Sequence, residues 1–237
     1  VEKKEKLTFP AKFTETVRNH GKNYAYAFVG EEPKTYDQAY NDIRALSAFL
    51  EKNGICPGVK VAILSSNMPN WGITYFAITF MGAVVIPILP DFSATEVKNV
   101  LDHSEAKAVF ISNSLAGRMD GYISENLKIV IQIEDFRILN NNSTFSEFDP
   151  TAIPEREYNV EEDDLASIIY TSGTTGRSKG VMLTHKNIIF NAMKGRRIQW
   201  VDETDRFLSV LPLSHTYENT LGLMLPMLGG SCVYYLR

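Results

Sequence analysis

"VKVAILSSNMPNWGITYFAITFMGAVVIPI", Val59 to Ile88, decides how this chain folds. It opens on a short apolar run, "VKVAILS", expected as a strand, and continues through Asn67–Met81 with helical character. Pro69 suits the first turn of that helix, where its missing N–H is no loss. The stretch then becomes β-branched in "AVVIPI", a second strand. One reading competes: Trp71–Pro90 carries no charge over twenty residues, which is membrane-spanning length. Gly82, Pro87 and Pro90 interrupt the run, so it reads as a buried helix followed by a strand. A second uncharged run, Asn219–Leu236, breaks at Pro226 and at Gly229-Gly230 and ends in "CVYYL", another strand.

The same alternation extends outward in both directions. Upstream, Asp37 follows the extended "KTY" and is expected to cap a helix that buries Ala39, Ile43, Leu46 and Leu50 on one face. That helix stops at Asn53-Gly54. Downstream, Ser93 and Glu96 form a capping box for a helix over 94–103. "KAVFIS" reads as a strand, Ser114–Asp120 as a weak helix and "KIVIQI" as a strand. Residues 134–164 are acidic and rich in Asn, Ser and Pro, which predicts a long surface connection or a seam between subdomains. Beyond it come the strand "LASIIYT", a glycine-rich loop, the short extended "GVMLT" and a helix from about Thr184. "RFLSVLP", a helix over 217–228 and "CVYYL" complete the chain. Short all-apolar strands alternating with amphipathic helices predict an α/β fold, a doubly wound and mostly parallel sheet with helices on both faces. Residues 1–237 are expected to form a single domain.

Composition narrows the function. A formal charge of −4 argues against a nucleic-acid partner, which would call for a basic face. Lys3, Lys4 and Lys6 read as a solvated tail. Cys56 and Cys232 lack metal-binding spacing and are expected as free thiols in a reducing compartment. No signal peptide opens the chain, so a cytoplasmic location is expected.

The chemistry concentrates in "YTSGTTGRSKG", Tyr170–Gly180. It lies after a buried strand, at the position where open α/β sheets bind ligands. Glycines let backbone N–H groups close around phosphate oxygens. Thr171, Ser172, Thr174, Thr175 and Ser178 add hydroxyls, and Arg177 and Lys179 add positive charge. A Walker A loop needs Gly before the Lys and a hydroxyl after it, and Ser178-Lys179-Gly180 fails that test. An unliganded Gly/Ser/Thr loop is the bland alternative.

"YTSGTTGRSKGVMLTH" closely resembles the phosphate-binding signature of the adenylate-forming superfamily of acyl-CoA synthetases, luciferases and adenylation domains. Ser178 stands where that signature usually has proline. "TYDQAYNDIRALSAFLEKNGICPGVKVAILSSNMPNW", together with residues 72–112, resembles the superfamily's N-terminal region. "LPLSHTYENTLGLMLPMLGGSCVYYL" resembles the segment that lines its acyl pocket, and "LPLSHTYE" is most similar to the long-chain fatty acyl-CoA synthetase branch. The resemblance runs from about Lys22 onward.

The resemblance implies a two-step ligase using ATP, a fatty acid and CoA, with Mg²⁺ as cofactor. Carried over by position, Ser172, Gly173, Thr174, Thr175, Gly176 and Lys179 hold the β- and γ-phosphates. Thr171 matches a hydroxyl that helps hold Mg²⁺. Lys179 and His215 are the expected catalytic groups, with His215, Tyr217, Glu218 and Asn219 toward the acyl substrate. Without the family, His215 reads as a cap of the next helix, the three residues after Thr216 as ordinary first-turn residues, and His185 and Lys186 as structural. Leu221, Leu223, Met224, Leu225, Met227 and Leu228 suit either an alkyl pocket or a core. The adenine, ribose and second-domain elements of the superfamily are not in these residues. The chain is therefore expected to be an inactive piece of a fatty acid–CoA ligase, with a self-contained nucleotide-binding or regulatory module, or an adenylate-forming ligase for another carboxylic acid, as the alternatives. Peripheral membrane contact, oligomeric state and acyl chain length stay open.

Overall fold

The computed structural model describes residues 5–140, 145–154, 157–171 and 179–237. The chain begins with α1 (Phe9–His20), capped by the Thr8 hydroxyl accepting from Ala11 N–H. Strands β1 (Tyr24–Phe28) and β2 (Lys34–Thr35) lead into α2 (Tyr36–Lys52). The cap of α2 is Thr35 and not Asp37: Gln38 N–H donates to Thr35 Oγ1 at 3.3 Å, and Thr35 N–H donates to Gln38 Oε1 at 2.8 Å. The chain leaves its extended conformation two residues earlier than the pattern suggests, and Asp37 sits in the first turn, paired with Lys22 at 2.8 Å.

The deciding stretch folds as read, into β3 (Lys60–Leu64), α3 (Pro69–Phe80) and β4 (Val84–Ile88). Gly82, at φ +76°, makes the turn that splits the uncharged run into helix and strand. Among the described residues no helix is long and apolar enough to cross a membrane. Then come α4 (Ala94–Ser104), with the Ser93–Glu96 capping box in place, and β5 (Ala108–Ile111). The weak helix is a 3₁₀ segment, Asn113–Met119, and β6 (Ile129–Gln132) comes after it. The connection after β6 has no helix or strand among its described residues but is anchored. Phe136 packs on Phe148 with ring centroids 4.9 Å apart, and Phe148 meets Phe49 of α2.

The remaining elements are β7 (Leu165–Thr171), β8 (Lys179–Thr184), α5 (His185–Ile198), β9 (Arg206–Ser209), α6 (Thr216–Glu218), a π-helical segment (Asn219–Met224), α7 (Leu225–Gly229) and β10 (Cys232–Tyr235). The alternation is divided between two sheets. One has the order β6-β5-β3-β4-β7-β8, all parallel except β8; the other is β2-β1-β10-β9, with β1, β10 and β9 parallel. Helices cover both faces of the six-stranded sheet. Ala62 and Leu64 of β3 face the cluster containing Val97, Val100 and Leu101 of α4, whereas Val61 and Ile63 face the cluster shared by α1, α2, α3 and the second sheet. Alternate side chains of one strand thus serve two cores, as expected for a parallel sheet buried on both faces.

Candidate functional site

Parallel strands bring their carboxyl ends to one edge, where ligands of open α/β sheets bind. β7 and β8 pair antiparallel with Thr171 opposite Lys179, so the chain leaves and re-enters the sheet at one point. Both residues are exposed there. Ser172, Gly173, Thr174, Thr175 and Gly176 of the signature lie outside the described residues. The base of the hairpin is fixed from beneath. Tyr170 is buried, and its hydroxyl lies 2.7 Å from Nδ1 of His103 at the end of α4. Burial raises the Tyr170 phenol above its ordinary value, so it stays a neutral anchor.

The second group of expected site residues comes after β9. His215 caps α6, its Nδ1 accepting from Tyr217 N–H at 3.3 Å, and its side chain is exposed. Tyr217 is also exposed. Glu218 and Asn219 turn inward: Ser209 Oγ donates to Glu218 Oε1 at 2.9 Å, and Asn219 Nδ2 approaches Leu213 O at 3.4 Å. Burial raises the Glu218 carboxyl above the usual range, opposed by its hydrogen bonds from Ser209 and Val210. Leu223, Met224, Leu225 and Met227 are core residues, each at most 3% exposed. A Cβ on Gly222 would stand 2.5 Å from Glu218 Oε1, so this glycine makes room for the buried carboxyl. Gly222→Ala is expected to lower stability by about 1–3 kcal/mol, the usual cost of overpacking. Urea unfolding checks this, and an unchanged midpoint would show that Glu218 has other room.

One residue escaped the sequence reading. Asn67, just beyond β3, donates from Nδ2 to Ser209 Oγ at 2.9 Å and to Leu211 O at 2.7 Å, and its Oδ1 accepts from Leu213 N–H at 2.9 Å. A single amide joins the carboxyl end of the six-stranded sheet to the segment that leads to His215. Its neighbours Ser66, Pro90, Ser209, Val210 and Pro212 line a cavity of about 230 Å³ between the two sheets. Two larger hollows, of about 620 and 580 Å³, lie along α1 and away from these strand ends. The local signal was a polar residue directly after a buried strand, which marks an edge but names no partner.

The donor set also bears on Mg²⁺. Among the described residues no three His, Cys, Asp or Glu side chains cluster as metal ligands. The Thr171 hydroxyl, exposed at the strand end, suits an ion that reaches the protein with a phosphate chain and keeps several waters.

A model of the family described as AMP-binding enzyme matches residues 13–237. "3-[(3aS,4S,7aS)-7a-methyl-1,5-dioxo-octahydro-1H-inden-4-yl]propanoyl:CoA ligase" of Rhodococcus jostii is 28% identical over 95% of this chain and 47% of its own length. "Long chain acyl-CoA synthetase 6, peroxisomal" of Arabidopsis thaliana is 30% identical over 85% of the chain and 30% of its own length. The chain thus spans less than half the length of either relative. The inhibitor-bound N-terminal domain of FACL13 from Mycobacterium tuberculosis has the same fold, with a TM-score of 0.83 at 23% identity, over 96% of this chain and 56% of that one.

Proposed function

The chain belongs to the AMP-binding enzyme family, and from that premise we propose that it is the N-terminal part of an AMP-forming ligase joining a carboxylic acid to CoA. The observation that carries the proposal is the signature itself, in which Thr171 and Lys179 stand opposite each other at the carboxyl edge of a mostly parallel sheet. In the first step an oxygen of the substrate carboxylate attacks the α-phosphorus of ATP, and the bond to pyrophosphate breaks. In the second, the CoA thiol adds to the acyl carbonyl and AMP leaves, the thiol proton passing to solvent. Lys179, with Ser172–Gly176, would hold the β- and γ-phosphates and so orient pyrophosphate as the leaving group. Thr171 would contribute one oxygen to Mg²⁺, which offsets phosphate charge when bound. His215 and Tyr217, exposed beside the cavity segment, would face the acyl and adenylate groups, with the buried Glu218 and Asn219 supporting them from below.

A long-chain fatty acid is the proposed substrate, supported by "LPLSHTYE" and by the long-chain synthetase among the relatives. Cytoplasm, where the two free cysteines stay reduced, is the proposed location. Pyrophosphate exchange by the full-length protein across acetate, octanoate, palmitate and an amino-acid panel tests this. Exchange is expected to be strongest with palmitate, by about tenfold or more over acetate, since each buried CH₂ adds about 0.8 kcal/mol. A preference for an amino acid overturns the substrate, and nucleotide binding without exchange for any acid would favour a nucleotide-binding module.

A further inference from the structure

We propose that Asn67 is a positioning residue for the ligation reaction, holding the segment that carries His215 against the end of the phosphate-binding sheet. The inference rests on the ligase reading above and adds to it a residue outside both signature stretches. Three features support it. Three of the four hydrogen-bonding positions of the amide serve this segment: two donations, to Ser209 Oγ and Leu211 O, and one acceptance, from Leu213 N–H. These contacts fall just before and within the turn Pro212–His215, in which His215 N–H donates to Pro212 O at 2.9 Å, so the position of the turn sets that of His215. The chain of contacts then continues, because Ser209 Oγ, the group that accepts from Asn67, itself donates to Glu218 Oε1. The residues on either side of His215 are therefore tied to the Asn67 amide just beyond β3, Leu213 directly and Glu218 through Ser209.

The sheet connection explains why this matters for the reaction. Lys179 enters the six-stranded sheet at the same edge, whereas His215 comes after a strand of the other sheet. If one group holds the phosphates and the other the acyl end, their relative placement depends on how firmly the two sheets are joined at these ends. A misplacement of about 1 Å at a reacting centre costs up to about a hundredfold in rate. Asparagine suits the role because its amide donates and accepts in one plane. Aspartate of the same size would keep the acceptance from Leu213 N–H and lose both donations.

The test uses the full-length protein with Asn67→Ala, Asn67→Asp and His215→Ala, singly and with Asn67→Ala and His215→Ala combined. Hydrogen exchange of the peptide spanning residues 209–217 is read by mass spectrometry, and palmitate-dependent pyrophosphate exchange by kcat and KM. Asn67→Ala is expected to speed exchange in that peptide about tenfold or more and to lower kcat by tenfold or more, with KM for ATP within twofold. In the His215→Ala background it should lower kcat little further, because residues that act as one unit are non-additive. Asn67→Asp should move both readouts in the same direction by less, which keeps the test decisive if the alanine variant folds poorly. Unchanged exchange of the 209–217 peptide overturns the proposal, as do kcat losses that simply multiply in the double variant. A wild-type protein with no carboxylate-dependent exchange overturns the ligase reading instead, and the peptide measurement then still decides whether Asn67 holds the segment.

Discussion

Replacing Lys179 by alanine is expected to lower pyrophosphate exchange in the full-length protein by about a hundredfold or more, the typical cost of one preorganised charge-stabilising group. The unfolding midpoint should stay nearly where it was. Lys179 is exposed at the first position of β8, and its register with Thr171 is made by the backbone, which alanine retains. Surface substitutions of this kind change stability by no more than about 0.5 kcal/mol. Lys179→Arg keeps the charge but changes its shape and reach, so it should recover part of the activity. Thermal unfolding and exchange kinetics on the same preparations make the comparison. If the alanine variant unfolds early while its folded fraction binds ATP as before, the residue is structural and the role assigned to it is wrong.

His185 should make the fold sensitive to mild acid. Its ring is fully buried where the start of α5 meets the start of α1. Nδ1 accepts from Phe9 N–H at 3.3 Å, and the ring packs edge-on against Phe9 at 5.0 Å. Burial pushes its pKa down from 6.5 to about 4, with the charge of Asp164 opposing the shift. A depressed histidine favours the neutral form in the folded state. Its contribution is complete above about pH 6.5 and is lost as the pH falls from there to about 4, below which both states are charged. A shift of this size corresponds to about 3 kcal/mol over that window. Protonation would also put a donor on the nitrogen that now accepts from Phe9. Carboxylates titrate in the same range, so the comparison is with His185→Gln, which can still accept that bond and does not titrate. Urea unfolding at pH 7 and pH 4 should show the wild type losing roughly 3 kcal/mol more than the variant. Equal losses in the two proteins would mean that the imidazole is not held neutral.

Both predictions concern groups visible in the sequence, yet they were legible to different degrees. Lys179 stood out because cation, glycine and hydroxyls crowd into one stretch, and such composition has few uses besides holding an anion. His185 was read only as structural, because its depressed pKa depends on Phe9, which lies 176 residues away. The first helix was missed for a related reason. Lys12 and Thr16 occupy buried positions of α1, which blurs its apolar face. Lys12 is accommodated by ion pairs with Glu5 and Glu15, and Thr16 donates to Met227 O at 3.0 Å. Lys12 draws on near neighbours, but the partner that accommodates Thr16 lies 211 residues away along the chain.

By itself, the sequence determined the class of fold and carried the signature of its family. Strands β3 to β6 are apolar on both faces, and residues with that pattern have to be covered on both sides, whatever their neighbours. The Tyr170–Gly180 stretch likewise carries its chemistry locally. Only the tertiary structure decided that the strands divide into two sheets, that β1 pairs with β10 across the length of the chain, and that Asn67 joins the two carboxyl edges. The physical reason is range. Periodicity reports whether a residue is buried, which depends on its near neighbours along the chain. A strand's partner, and the use of one polar side chain, depend on groups more than a hundred residues away that only the folded chain brings within 3 Å.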